Sequence, residues 1–481
     1  MLGLIGVLLA LGLLIFLAYR GFSVLYLAPI TALVAVAFAG LPLVATYTQI
    51  FMPAVGKYII TYFPVFALGA VFGKLMSDTG FAKAIALWIV NTIGAKRAIL
   101  ATILSGAILT YGGVSVFVVS FALFPIANQM FRAADIPKRL VAASMLAGAG
   151  TFTMTALPGT PAIQNAIPGP FFGTNAFAAP VFGIVCGLLM FALASVWLGW
   201  RAKKLMAAGE GYQDSNTRPG FGETDQDEQN NGDTGSSSGA TTSAVTQKTP
   251  NAMLGLVPIL IVIVTNFSLV TWVFPAMDFA YLQEETYGKT DISKVGGIWA
   301  IVIALFFACL FTLAVGWRHM KDAKESLNQG ATGSMLPIFN TASEVGFGAI
   351  IASVPAFSIV RDAVLSIPGN PLISLAVAIN VLAGITGSAS GGMSIGLETL
   401  GADYLALAQQ AGISPEIMHR VAAIASGGMD SLPHNGAVIT LLTICGLTHR
   451  QSYADVGVVS VVIPIISLAV VLGFTLLFGL V

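Results

Sequence analysis

The chain has 481 residues, 56% of them hydrophobic and only 9% charged, with a mean hydropathy of +0.86. A soluble domain carries about 25% charged residues, so a soluble globular fold is excluded. Twenty-two basic and 22 acidic residues leave no net charge with which to hold nucleic acid. Cys186, Cys309 and Cys445 lie far apart in apolar runs, which suggests neither disulfides nor a metal site.

The apolar runs are long enough to cross a bilayer as helices, so the expected fold is an all-α polytopic membrane protein. The first half, residues 1–200, reads as helices at 3–19, 22–43 and 58–75, a hairpin at 98–131, and further helices at 139–170 and 172–200. The start is apolar from Met1 without a basic lead-in, which reads as a retained helix. Arg20, then Lys74, Lys83, Lys96 and Arg97, then Arg132, Lys138 and Arg139, and finally Arg201, Lys203 and Lys204 flank these spans. All fall on one side, which is the cytoplasm by the positive-inside rule, and the N-terminus is then outside.

The hairpin at 98–131 is broken near its middle by Tyr111-Gly112-Gly113-Val114-Ser115. Glycine lets the backbone turn and lets a ligand approach closely. The arm that follows begins a helix, whose free N–H groups suit a carboxylate. About fifty residues on, Leu157-Pro158-Gly159-Thr160-Pro161 interrupts the next span. Proline cannot continue a helix ladder, so Thr160, Gln164, Asn165, water or a ligand must satisfy the freed backbone.

Residues 201–251 hold twelve charged side chains and are rich in Gly, Ser, Thr, Asp and Gln. They read as a disordered cytoplasmic linker. The second half, 252–481, starts inside. Helices are expected at 252–275, 294–317 and 333–351, then a short outer segment with Arg361, a hairpin at 370–411, a span at 413–447 and a last helix at 455–481. The second hairpin therefore enters from outside, opposite to the first, which predicts two inverted repeats with re-entrant hairpins.

Ser390-Gly391-Gly392-Met393-Ser394 in this hairpin matches the first glycine motif, 279 residues after Gly112. Asp430-Ser431-Leu432-Pro433-His434-Asn435-Gly436 matches the first break. Close helix packing through small residues would account for one Gly-Gly. Two copies, each followed by a second break, favour a midplane binding site. Three acids fall in apolar sequence: Glu344, Glu398 and Asp430. A buried carboxylate tends to take a proton or a cation, which suits coupling to H+ or Na+; a structural hydrogen bond to a neighbouring helix is the alternative. His434 can donate to a carboxylate or cap the broken helix, while His319, His419 and His449 are expected at membrane interfaces. No Lys or Arg lies near either tip in sequence. There is no nucleophile–base pair, metal-ligand cluster or phosphate loop, so no enzyme and no cofactor is expected. Only Asp430 with His434 approaches a catalytic pair, leaving an intramembrane enzyme as a remote alternative.

With Tyr111-Gly112-Gly113-Val114-Ser115-Val116-Phe117, Phe124-Pro125-Ile126-Ala127, the Leu157-Pro158-Gly159 break, Ser390-Gly391-Gly392 and Leu432-Pro433-His434-Asn435-Gly436, the chain resembles the gluconate permease (GntP) family of the ion transporter superfamily, outside the 201–251 linker. The resemblance implies inverted repeats and secondary transport of small organic acids, usually with a proton, across the bacterial inner membrane. It also implies a homodimer in which hairpins and broken helices move like an elevator against a scaffold of early helices. The substrate-binding residues would be Tyr111, Gly112, Gly113, Ser115, Gly159, Thr160, Gln164, Asn165, Ser390, Gly391, Gly392, Ser394, Ser431, His434 and Asn435. Glu344, Asp430 and Glu398 would couple the cation. Gluconate permeases carry a Pro-Pro-His-Pro-Gly-Pro run after the first break, whereas this chain reads Leu157-Pro158-Gly159-Thr160-Pro161-Ala162. The lost histidine points to a less hydroxylated acid: 3-hydroxybutyrate, a 2-keto acid or lactate. The chain is thus nearer a hydroxybutyrate-type member, with a gluconate or citrate/dicarboxylate carrier as the alternative.

Overall fold

A computed structural model of the chain describes residues 2–20, 22–94, 97–212, 250–359, 362, 367, 370–433 and 435–479. Lys96, Arg361, His434 and residues 213–249 of the expected linker lie outside the described residues. All regular structure among the described residues is helical.

The first half runs through α1 (Leu2–Tyr19), α2 (Val24–Phe38), the long α3 (Leu43–Asp78), α4 (Phe81–Ile93), the pair α5 (Ala98–Tyr111) and α6 (Val116–Ala133), α7 (Leu140–Ala149), and α8 (Pro180–Ala207). Short turns at Phe152–Thr155, Ile163–Ala166 and Gly169–Phe172 lie between α7 and α8. The second half runs through α9 (Ala252–Ala276), α10 (Ile292–His319), α11 (Ala323–Ser353), the pair α12 (Pro371–Thr386) and α13 (Ala389–Gln410), α14 (Pro415–Ser426), α15 (Gly436–Ile444) and α16 (His449–Leu477). Apart from α4, which has no counterpart among the described residues of the second half, a similar order of elements occurs in both halves: two helices, a long helix, a helix–turn–helix pair, an interrupted helix and a closing helix.

Local chemistry sets many of these starts. Ser23, Asn251, Asp291, Asn370 and Ser414 each accept a backbone N–H of the helix they precede. Once started, α3, α8, α9, α10, α11 and α16 are each long and apolar enough to cross a bilayer. Large apolar side chains such as Ile60, Val181, Val196 and Leu477 stay exposed on them, as a lipid-facing surface requires. Several expected boundaries move: α11 begins at Ala323 and not 333, and α16 at His449 and not 455. The span read as 58–75 is only the later part of α3, because Tyr47, Thr48 and Gln49 continue the helix without a break. Residues 201–207 belong to α8 and not to the linker. The chain then folds back, with Tyr212 N donating to Asp135 Oδ1 at 2.8 Å and Tyr212 OH to Asn128 Oδ1 at 2.7 Å.

Helices from the two halves pack head to tail. Along α3 and α11, Val71 lies against Gly330 and Phe51 and Val55 lie against Gly346, while Ser326 donates to Asp78 Oδ2 at 2.6 Å. The late end of α8 likewise meets the early end of α16, where Arg201 Nε is 3.0 Å from Asp455 Oδ1. Helices also cross between halves: Cys309 of α10 reaches the Leu68 carbonyl of α3, and Ser343 of α11 reaches the Leu25 carbonyl of α2.

Candidate functional site

Each helix pair turns on a left-handed glycine followed by a capping serine. In the first, Gly113 has φ +95° and Ser115 Oγ accepts from Val118 N at 3.4 Å. In the second, Gly387 has φ +65° and Ser388 Oγ accepts from Gly391 N at 3.1 Å. The capping serines are 273 residues apart (388 against 115), whereas the Gly-Gly motifs are 279 apart. The matching letters are therefore six residues out of register with the matching geometry. Gly391 and Gly392 do not make the turn, as the sequence suggested; they lie in the first turn of α13. They are small because neighbours come close. A Cβ at Gly392 would run into the Leu382–Ala383 backbone, and one at Gly391 would overlap the Glu344 carboxylate.

Glu344 comes from α11 and is 4% exposed. Its Oε2 accepts no hydrogen bond, and Tyr58 OH on α3 and Ser394 Oγ on α13 are also buried without partners. Thr341, one turn earlier, faces Ser390 Oγ at 3.5 Å. Carboxylate and hydroxyls thus gather at the positive end of α13, where a negative charge is favoured. That end is taken by the protein's own acid.

The first break is held differently. Tyr111 OH donates to the Pro158 carbonyl at 2.8 Å, and a Cβ at Gly113 would lie 2.8 Å from Pro161 Cγ. Gly112 lies against Ile259 and Gly159 against Phe177. Thr160 Oγ1 accepts from Ala162 N at 3.3 Å. Asn165 Nδ2 donates to the carbonyls of Thr160 (3.0 Å) and Ala176 (2.9 Å), which fixes its amide orientation. Its Oδ1 accepts from Arg420 Nη1 at 2.8 Å. His419 Nε2, 3.4 Å from the same oxygen, must then be the protonated nitrogen, and Nδ1 accepts from the Thr174 hydroxyl at 2.7 Å. Gln164 is buried, with its Oε1 unpartnered.

The second break ends α14 at Ser426 and resumes at Gly436. Asn435 Oδ1 caps α15 through Val438 N at 2.8 Å, and its Nδ2 donates to the Gly387 carbonyl at 2.7 Å. Ser431 donates to Asp430 Oδ1 at 2.9 Å, and Tyr453 OH donates to the Ser431 carbonyl at 3.1 Å. His434 lies outside the described residues.

The expected residues therefore form two groups. Tyr111, Gly113, Thr160 and Asn165 meet at the first turn and break; Glu344, Ser390, Gly391, Ser394 and Asn435 meet around the second hairpin. Residues 163–172 lie between α3 and α13, where Phe171 packs on Gly401 of α13 and Tyr62 OH of α3 donates to the Ile167 carbonyl at 3.3 Å. The breaks touch where Thr155 packs on Gly427. Glu398 stands apart, 2.6 Å from Lys57 Nζ, with both side chains partly exposed.

Sequence reasoning missed Tyr58 and Arg420. The sequence places no basic residue near a tip, yet the Arg420 guanidinium reaches the first break from the other half. Its signal was an arginine at the head of the apolar run Val421-Ala422-Ala423-Ile424-Ala425, since an ionisable residue within a span is a functional candidate by default. His419, expected at an interface, is fully buried beside it.

The sequence matches the GntP family permease pattern across residues 2–477. The chain belongs to the GntP permease family. An uncharacterized transporter of Bacillus subtilis (strain 168), YxjC, is 45% identical over 468 residues, covering 95% of this chain and 96% of that one. The crystal structure of the Alcanivorax borkumensis YdaH transporter has a similar fold, with a TM-score of 0.52 at 14% identity, covering 89% of this chain and 88% of that one. This GntP family member is thus a multi-pass membrane transporter and not an enzyme.

Proposed function

We propose that the protein is a cation-coupled symporter that carries a small organic monocarboxylate, such as 3-hydroxybutyrate, with H+ or Na+ across the bacterial inner membrane. One observation supports this above the others: Glu344 is buried at the second hairpin with an unpartnered oxygen and, among the described residues, no cationic side chain bonded to it. A buried carboxylate without a partner is costly. A proton or Na+ offsets that cost, and its arrival and departure then bias the hairpin between two positions.

The roles divide by half. Tyr111, Gly112, Gly113, Ser115, Gly159, Thr160, Gln164 and Asn165 at the first turn and break receive the substrate. Ser390, Gly391, Gly392, Ser394, Ser431, His434 and Asn435 close the site from the second half. Glu344 carries the coupling ion. Asp430 is a second, half-buried acid with a hydroxyl partner. Glu398, already paired with Lys57, acts in coupling only when that pair opens. The head-to-tail packing of α3 with α11 and of α8 with α16 supports inverted repeats, and the resemblance to the family supports a homodimer with an elevator-type movement.

The test is uptake of labelled 3-hydroxybutyrate into proteoliposomes under an inward proton gradient and, separately, an inward Na+ gradient. Accumulation under one gradient alone identifies the coupling ion. No uptake under either rejects 3-hydroxybutyrate as substrate.

A further inference from the structure

Arg420 is 0% exposed, and no carboxylate pairs with it among the described residues. Glu416, one turn earlier on α14, accepts from Ala179 N at 3.1 Å instead. The other titratable groups that feel the guanidinium are Tyr111, Cys186 and the neighbouring His419. Its acceptors are all uncharged: Asn165 Oδ1 at 2.8 Å, the Ala176 carbonyl at 3.0 Å, and the Ala178 carbonyl at 3.0 Å from Nε and 2.7 Å from Nη2. Hydrogen bonds to neutral oxygens satisfy the donors but leave the charge.

A cation held away from water with no ion-pair partner is costly, so an arginine kept there needs a reason. Among the described residues, Glu344 is a buried acid at the second hairpin without an ion-pair partner, and Arg420 a buried base at the first break without one. Each lacks a counter-charge of the kind that a transported anion and its coupling cation would bring.

We infer that Arg420 is the fixed positive charge that selects the transported anion at the first break. It is a positioning residue. It acts through Asn165 and the carbonyls of Ala176 and Ala178, which hold the unwound 158–178 segment, and through its field on the substrate carboxylate. A single unpaired base matches a single carboxylate, so dicarboxylates are disfavoured. This inference rests on the symporter reading above.

The full chain is reconstituted as wild type, Arg420→Gln, Arg420→Lys and Cys186→Asp, the last giving the guanidinium an internal partner. Initial uptake of labelled 3-hydroxybutyrate is measured under the driving gradient. Losing the charge is expected to raise KM about tenfold or more in Arg420→Gln and in Cys186→Asp, and much less in Arg420→Lys. An unchanged KM in Arg420→Gln with only a lower Vmax overturns the inference. So does an Arg420→Lys KM as high as that of Arg420→Gln, because a pure brace would fail in both. If wild type takes up no 3-hydroxybutyrate, the substrate assignment fails, and Arg420 is tested by thermal stabilisation of the purified proteins with acetate, 3-hydroxybutyrate or gluconate. Stabilisation lost in Arg420→Gln and kept in Arg420→Lys supports it. Equal stabilisation in Arg420→Gln, or none in wild type, overturns it. Should Arg420→Gln aggregate, Cys186→Asp and Arg420→Lys carry the same comparison.

Discussion

Glu344 and Gly391 are in direct contact: the carboxylate of one fills the space where any larger residue at the other would put its Cβ. The acid of α11 therefore reads the position of the second hairpin, because α13 cannot shift along α11 without changing the surroundings of that carboxylate.

Glu344→Gln is the first consequence to test. The amide is nearly isosteric and cannot take up a proton or hold a cation by charge. Gradient-driven accumulation of 3-hydroxybutyrate is expected to fall to background, while exchange of internal for external substrate persists. The paired acid behaves differently, and Glu398→Gln is expected to keep gradient-driven accumulation, since exposed ion pairs contribute only about 0–1 kcal/mol. Accumulation that survives Glu344→Gln, or is lost only in Glu398→Gln, would reverse these roles.

Gly391→Ala sets two effects against each other. Alanine favours a helix over glycine by about 1 kcal/mol. Overpacking costs about 1–3 kcal/mol, and here the neighbour is a carboxylate fixed on another helix. The clash is expected to win, with a lower melting temperature and much reduced uptake. A variant as stable and as active as wild type would show that Glu344 moves away freely.

Asn435 does two jobs, capping α15 and tying the second break to the Gly387 carbonyl. Asn435→Ala loses both. Asn435→Ser keeps a capping hydroxyl, worth about 1 kcal/mol, but is too short for the tie. Serine is therefore expected to recover thermal stability over alanine without recovering uptake. Equal uptake in the serine variant and wild type would reduce the tie to scaffolding.

Asp455 is buried between Arg201 Nε (3.0 Å) and Arg139 Nε (4.0 Å), which come from the other half. Removing one member of a buried pair leaves an uncompensated charge. Both arginines reach solvent, so the low end of the usual cost applies, about 3 kcal/mol for Asp455→Asn. Thermal melting in detergent should show the loss, and an unchanged melting temperature would mean that the cluster contributes little.

What could be read from the sequence was local. Runs of apolar residues gave spans because length and hydropathy suffice to cross a bilayer. Gly113 before Ser115 and Pro158 before Gly159 marked a turn and a break because glycine, proline and a capping serine act on their own backbone. The same local logic misled at Gly391 and Gly392, whose letters repeat the first motif while the turn itself falls on Gly387.

The membership of the site was decided by tertiary structure. Arg420 lies 255 residues from Asn165, and Lys57 lies 341 residues from Glu398. In a helix apolar all round, the sequence pattern does not say which face meets which neighbour. Packing between the halves sets that choice. It brings Glu344 onto the start of α13, and it places Arg420 behind the first break, hydrogen-bonded to neutral oxygens.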